Sequence, residues 1–216
     1  MKKILIVDDH PLMRKGLAMT LDAEPDIHVV AQVADAEEVL SKLDELGPDL
    51  AIVDISLPGM SGLELIKHLQ ALRPDLRTLI VSRHDEALYA ERALRAGARG
   101  YVMKLEAGEK IVQAVRRVLA GGIYVSDEIN ERLLLGLAAG RQELAQSPLE
   151  VLSDRELEVF ELTGRGLGTR DIAERLHLSV KTVESYRARI KEKLNLKTAA
   201  ELMQHAVQWV EGERTS

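Results

Sequence analysis

Short apolar runs rich in valine and isoleucine alternate with longer amphipathic segments over the first 120 residues of this 216-residue chain. The runs are KILIV, HVVAQVA, LAIVDI, TLIVS and GYVMK, and at least ten residues with helical spacing follow each of them. Nearly continuous apolar strands separated by helices are typical of a parallel sheet that is covered on both faces. We therefore predict that residues 1–120 form a five-stranded, doubly wound α/β domain.

The strand pattern stops after Gly121 and Gly122. Residues 121–147 read as a linker with one helix, from Asp127 to about Leu137, and residues 148–216 read as a small domain of four short helices. Residues that favour helix N-caps support these boundaries. They are Asp35 and Ser61 in the first domain, and Ser153, Thr169, Ser179 and Thr198 in the second.

Composition excludes several classes of protein. The chain has no cysteine, so disulfides, thiolate zinc sites and cysteine nucleophiles are absent, and any metal must bind oxygen or histidine. No apolar run reaches the eighteen or so residues that a membrane span needs. We expect a cytoplasmic protein.

Carboxylates, a hydroxyl and an ammonium group lie where the predicted strands end. They are Asp8, Asp9, Asp54, Ser82 and Lys104. A single aspartate at a strand end is more often a turn former or helix cap, but residues from four strands converge on one edge of a parallel sheet. Crowded carboxylates favour a hard cation such as Mg²⁺, which also binds phosphate oxygens. A carboxylate there can act as a phosphoryl acceptor.

The motifs ILIVDDHPLMRKGL, AIVDISLPGMSGLELIKHL, LIVSRHDE and GARGYVMK resemble the receiver domain of bacterial two-component response regulators, which has a flavodoxin-like fold. The resemblance implies that Asp54 accepts a phosphoryl group from a phosphohistidine of a sensor histidine kinase. It implies that Lys104 contacts the phosphate and that Ser82 and Tyr101 form the pair that reorients on activation. The implied ligands of Mg²⁺ are Asp9, Asp54, Asp8 through water, and the backbone carbonyl of Ser56.

One residue departs from the common receiver pattern, since Ser82 stands where many members have threonine. Ser56 and His84 flank the site, and we expect them to tune the lifetime of the phosphorylated state.

A second constellation lies in SVKTVESYRARIKEKL. Helical spacing places Val183, Ile190 and Leu194 on one buried stripe, and it places Lys181, Ser185, Ala188 and Glu192 outward. Residues 179–197 hold six basic residues against two acidic ones, although the whole chain has a net charge of -6. A charged helix face is most often simply solvated. With the preceding helix TRDIAERLHL and a tight turn, however, the arrangement is that of a helix-turn-helix.

The stretch from Leu152 to Trp209 closely resembles the LuxR-type helix-turn-helix, and the chain as a whole is similar to NarL/FixJ-type response regulators. The resemblance implies that the last helix, Thr198 to Trp209, contributes to a dimer. Gly168 stands where serine or asparagine is frequent, which weakens the expected cap of the helix near Thr169. The implied DNA contacts are Lys181, Thr182, Glu184, Ser185, Ala188 and Arg189.

These observations predict a non-enzymatic transcription regulator whose phosphorylation at Asp54 frees or dimerises the DNA-binding domain. Two alternatives remain open from the sequence. An aspartyl-phosphate phosphatase would use the same carboxylate, Mg²⁺ and lysine, but it normally has a second aspartate where this chain has Ser56. A constitutive DNA-binding protein would retain the receiver fold without its switch.

Overall fold

The computed structural model describes residues 1–138 and 148–213. The chain divides into two compact units, residues 1–143 and residues 144–216. Among the described residues, we find no helix that is both long enough and apolar enough to cross a membrane.

The first unit is built on one parallel sheet with the strand order β2-β1-β3-β4-β5. The predicted five-stranded, doubly wound sheet is confirmed. Chain order reverses between β1 and β3, and this is the point at which open α/β sheets form a crevice outside the carboxyl ends of the strands. The strands are β1 (Lys2–Val7), β2 (Ile27–Val33), β3 (Leu50–Val53), β4 (Arg77–Ser82) and β5 (Tyr101–Met103).

Helices cover both faces of this sheet. On one face α1 packs against α5, and on the other α2, α3 and α4 are successive neighbours. The central strands β1 and β3 are buried along most of their length, which explains why their sequences are apolar without alternation. The helices are α1 (Pro11–Asp22), α2 (Ala36–Leu46), α3 (Gly62–Leu72), α4 (Glu86–Ala96) and α5 (Ala107–Leu119).

The chain after α5 stays attached to the sheet. Tyr124 lies beside β5, where its N–H donates to the carbonyl of Arg99 at 3.0 Å and its carbonyl accepts from the N–H of Tyr101 at 2.8 Å. Helix α6 (Asp127–Ala138) follows, and the N–H of Ser126, just before it, donates to Glu86 Oε1 at 2.8 Å. The segment therefore extends the sheet and is tied to the first turn of α4.

The second unit is helical, as predicted. After a 3-10 turn (Pro148–Val151) come α7 (Asp154–Gly164), α8 (Thr169–Arg175), α9 (Val180–Lys193) and α10 (Ala199–Glu213). Helices α7 and α10 approach so closely that a Cβ atom at position 164 would lie 2.2 Å from the carbonyl oxygen of Ala206. Glycine at this position is therefore required by packing.

Helix caps in the second unit agree with the predictions at Ser153, Ser179 and Thr198, each of which accepts a backbone hydrogen bond three residues on. The prediction for Thr169 is wrong by one residue. Gly168 is the N-cap, and its N–H donates to Asp171 Oδ2 at 3.2 Å. The side chain of Asp171 thus satisfies the N–H of the N-cap residue, but glycine has no side chain to accept from the N–H groups of the first turn of α8.

Candidate functional site

Backbone pairing brings the residues at the strand ends together. The N–H of Asp54, just after β3, donates to the carbonyl of Val7 at 2.9 Å, which places Asp54 beside Asp8. The N–H of Lys104, just after β5, donates to the carbonyl of Ser82 at 2.8 Å. The sheet register therefore aligns the four strand ends that the sequence singled out.

The ammonium group of Lys104 lies between two carboxylates. Its Nζ is 2.6 Å from Asp54 Oδ2 and 2.7 Å from Asp8 Oδ2. The side chains of Asp54 and Lys104 are only 3% and 5% exposed. Because solvent screens such a cluster poorly, one cation beside two carboxylates leaves a strong local excess of negative charge, to which Asp9 adds.

The pKa of Asp8 is raised above that of an ordinary aspartate. Burial of its carboxyl group is the largest cause and repulsion from the Asp54 carboxylate is the next, while Lys104 acts in the opposite direction. A cation bound near these carboxylates would offset the repulsion, and it would therefore favour the ionised form of Asp8.

The cluster fits a hard divalent cation. Ligand atoms of Asp8, Asp9, His10 and Asp54 lie within 4.8 Å of one another. Within the described part of the chain, Asp54 Oδ1 is buried and accepts no hydrogen bond. A buried carboxylate oxygen without a donor is destabilising unless a cation or another partner reaches it. Carboxylate oxygens are also the ligands that Mg²⁺ prefers.

This electrostatic arrangement predicts that Mg²⁺ binding depends on pH. Because Asp8 takes up a proton at a higher pH than an ordinary carboxyl group does, protons compete with the cation as the pH falls. We expect the dissociation constant for Mg²⁺ to rise when the pH of the full chain is lowered from about 7 towards about 5, as measured by calorimetric titration. Asp8→Asn should bind Mg²⁺ more weakly at neutral pH and show a smaller pH dependence. Equal pH dependence in the two proteins would contradict the role assigned to Asp8.

The two residues expected to form the switch are both buried. The hydroxyl of Tyr101 donates to the backbone carbonyl of His84 at 2.8 Å. The hydroxyl of Ser82 accepts from the backbone N–H of His84 at 3.4 Å. The loop after β4 therefore connects the two switch residues through His84.

Sequence reasoning missed two members of the site. The ring of His10 contacts the Asp9 carboxylate and lies 3.3 Å from Asp8 Oδ1. The guanidinium of Arg14 donates to the carbonyl of Asp8. His10 directly follows the aspartate pair and precedes the first helical residue, Pro11, and this position is the signal that could have identified it.

In the second unit, helix α9 presents the residues that the sequence assigned to DNA. The side chains of Lys181, Glu184, Ser185, Ala188 and Arg189 are exposed, whereas the opposite stripe packs inward. Thr182 differs, because it is half-buried and its hydroxyl lies 2.7 Å from that of Ser179, the N-cap of the helix.

Two of the basic residues on α9 face their own domain. Arg187 donates to the hydroxyl of Thr169 at 2.7 Å, and burial lowers the pKa of its guanidinium. Lys193 pairs with the buried Glu156 carboxylate at 2.6 Å. The positive charge available to a ligand is therefore smaller than the sequence count suggests.

Comparison with known families accounts for both units. Residues 4–116 match the response regulator receiver domain, and residues 150–206 match the bacterial regulatory proteins of the luxR family.

Relatives with both units are also found. The oxygen regulatory protein NreC of Staphylococcus epidermidis is 40% identical over 210 residues, which cover 95% of this chain and 96% of that protein. NreC of Staphylococcus carnosus is 38% identical over 209 residues, with the same coverage of both chains.

Solved structures show the same architecture. A structure of the RcsB response regulator from Salmonella typhimurium has 25% sequence identity and a TM-score of 0.66, and covers 96% of this chain and 98% of that one. A LuxR-family two-component response regulator from Aurantimonas has 34% identity and a TM-score of 0.58, and covers 63% of this chain and 97% of that one. This chain is therefore a two-component response regulator of the NarL/FixJ type, with a receiver domain and a LuxR-type DNA-binding domain.

Proposed function

We propose that this response regulator controls transcription through phosphorylation of Asp54 by a sensor histidine kinase, and that phosphorylation promotes dimerisation and promoter binding. The observation that carries the proposal is the buried cluster in which Lys104 contacts both Asp54 and Asp8. This cluster lies in the same chain as an exposed recognition helix, α9.

The geometry supports an acceptor role for Asp54. A carboxylate oxygen of Asp54 attacks phosphorus, the bond from phosphorus to the donor's imidazole nitrogen breaks, and that nitrogen keeps the electron pair. Lys104, whose ammonium already contacts Asp54, stabilises the charge on the transferring oxygens. Mg²⁺, when bound by Asp8, Asp9, Asp54 and the carbonyl of Ser56, neutralises phosphoryl oxygens and the surrounding carboxylates.

A kinase must cover the entrance to this cluster, and two apolar side chains flank it. Leu12 follows the Asp8-Asp9-His10 stretch in the first turn of α1, and Leu105 follows Lys104; they are 86% and 93% exposed. Exposed apolar surface at the rim of a functional site is the kind of surface that a protein partner can cover. We infer that they contact the kinase.

Substitution of these leucines should distinguish contact with the kinase from the phosphoryl transfer itself. In Leu12→Asp and Leu105→Asp, we expect transfer from the cognate kinase to slow by about tenfold or more, since each change places a charge in an apolar contact. Labelling by acetyl phosphate should stay unchanged because the small donor needs no docking surface. Leu72→Asp, an exposed leucine at the end of α3, is the matched control. Equal slowing with the kinase and with acetyl phosphate would argue against a role of these leucines in contacting the kinase.

DNA binding is supported by RcsB, which is described bound to a promoter in the presence of the phosphomimetic BeF₃⁻ and is 25% identical with a TM-score of 0.62. By this proposal Lys181 and Arg189 contact phosphates, while Glu184, Ser185 and Ala188 face base edges. Thr182 contributes chiefly by fixing the start of the helix. Because promoter DNA is the target, the chain works in the cytoplasm.

A phosphatase activity is not favoured by the site. Where such enzymes have a second aspartate, this chain has Ser56, and its hydroxyl lies 2.8 Å from the His84 ring. We expect no turnover of p-nitrophenyl phosphate in the presence of Mg²⁺. Steady release of p-nitrophenol that is lost in Asp54→Asn would favour the phosphatase instead.

The proposal as a whole is tested by selecting binding sites for the BeF₃⁻-treated protein from random DNA duplexes. Affinity for the selected site is then measured with and without BeF₃⁻, alongside sedimentation to determine the oligomeric state. We expect tighter binding together with a shift from monomer to dimer. Equal affinity in both states would favour a constitutive DNA-binding protein.

A further inference from the structure

A buried histidine beside the acidic cluster has no role in the chemistry described above. His84 Nε2 lies 2.8 Å from the hydroxyl of Ser56, which joins the loop after β4 to the loop after β3. His84 is only 7% exposed. A polar ring is seldom buried next to a reaction centre without a structural or chemical task.

The position of His84 is fixed from several sides. Its ring centroid lies 4.6 Å from that of Tyr89, a buried residue of α4. Its backbone carbonyl accepts from the hydroxyl of Tyr101 at 2.8 Å, and its N–H donates to the hydroxyl of Ser82. The imidazole is therefore a rigid partner for Ser56, since its ring and its backbone are held independently.

Ser56 itself lies in a tight turn. The N–H of Leu57 donates to the carbonyl of Ile55 at 3.0 Å, and the N–H of Gly62 donates to the same oxygen at 2.7 Å. In the part of the chain that the structure describes, we find no backbone hydrogen bond to the carbonyl of Ser56. This oxygen is thus available to a cation, and the side chain of Ser56 is anchored by the His84 ring.

We propose that His84 is a positioning residue for the cation site: its bond to the Ser56 hydroxyl holds the 55–57 turn so that the Ser56 carbonyl can serve as a ligand. This inference rests on the proposed function, which assigns Mg²⁺ to the Asp8, Asp9 and Asp54 cluster. His84 does not touch the reacting atoms. Its effect passes through Ser56.

Titration of the full-length protein with MgCl₂ by calorimetry tests the proposal. We expect His84→Ala and Ser56→Ala each to weaken Mg²⁺ binding by about tenfold, the low end of the loss that is typical for partners of metal ligands, because the ligand here is a backbone carbonyl. The double variant should be no weaker than either single one, because both remove the same bond. His84→Gln, which keeps a polar group of similar reach, should recover most of the affinity. His68→Ala, an exposed histidine of α3, should bind Mg²⁺ as the wild type does.

The possible results separate this inference from the function it rests on. If the wild-type protein does not bind Mg²⁺ at all, the proposed function fails and this inference with it. If the wild type binds Mg²⁺ and Ser56→Ala binds it equally well, only the positioning role is overturned. Ser56→Ala removes only one hydroxyl from a small, half-buried side chain, so it tests the proposal even if His84→Ala does not fold. Additive losses in the double variant would also overturn the proposal.

Discussion

Asparagine at position 54 will abolish phosphorylation. Asp54→Asn removes the nucleophilic oxygen but keeps the size of the side chain, and we expect labelling by acetyl phosphate or kinase to fall by about 10³-fold or more, as for loss of other enzymatic nucleophiles. Incorporation of radioactive phosphate that alkali or hydroxylamine releases, as expected for an acyl phosphate, measures this directly. The Lys104 ammonium still has Asp8 as its partner in this variant, so the fold should persist.

The matched control for this change is Asp75→Asn, which alters an exposed carboxylate just before β4, at the opposite end of the sheet. It should be labelled as the wild type is. Residual labelling of Asp54→Asn at a substantial fraction of the wild-type level would place the acceptor elsewhere in the cluster, with Asp9 the first candidate. In Asp54→Asn, BeF₃⁻ should no longer tighten DNA binding.

Removal of two positive charges from the recognition helix should have the next largest effect. In Lys181→Ala/Arg189→Ala we expect the affinity for the selected duplex to fall by about 30- to 1000-fold, because two charge-assisted phosphate contacts are lost. The slope of log K against log salt concentration should become shallower by about 2, one unit for each phosphate contact. Fluorescence anisotropy over a salt series measures both quantities.

Lys193→Gln is the informative control on the same helix. It also removes one positive charge, but Lys193 faces the buried Glu156 carboxylate. We therefore expect lower thermal stability and an unchanged salt slope when binding is measured well below the unfolding temperature. A salt slope that falls equally in Lys193→Gln and in the Lys181/Arg189 variant would show that general charge, not the exposed face, drives binding.

Local sequence patterns were sufficient to predict the architecture and to identify the four strand ends that form the site. A parallel sheet forces its strands to end at one edge, so Asp54 and Lys104 could be expected to meet although they are fifty residues apart. The metal ligands, the switch and the DNA contacts came from resemblance, and their roles stay predictions here.

What the sequence could not provide depends on contacts between distant residues. Arg187 bonds to Thr169 and Lys193 pairs with Glu156, both on other helices, so counting charges overstated the basic face. The bond from Ser56 to His84 links two loops that follow different strands. The error at Thr169 has a local cause, because glycine can occupy the N-cap position and a search for capping side chains passes over it.

The pairing of Tyr124 beside β5 has a practical consequence for fragments of this protein. A receiver fragment cut after residue 120 would leave the N–H of Tyr101 and the carbonyl of Arg99 without their partners, at the start of the edge strand β5. Bare edges invite strand pairing between molecules. We expect such a fragment to self-associate through β5 more readily than the full chain, in either phosphorylation state, so its oligomers would not report activation. Fragments that extend through residue 138 keep both of these hydrogen bonds.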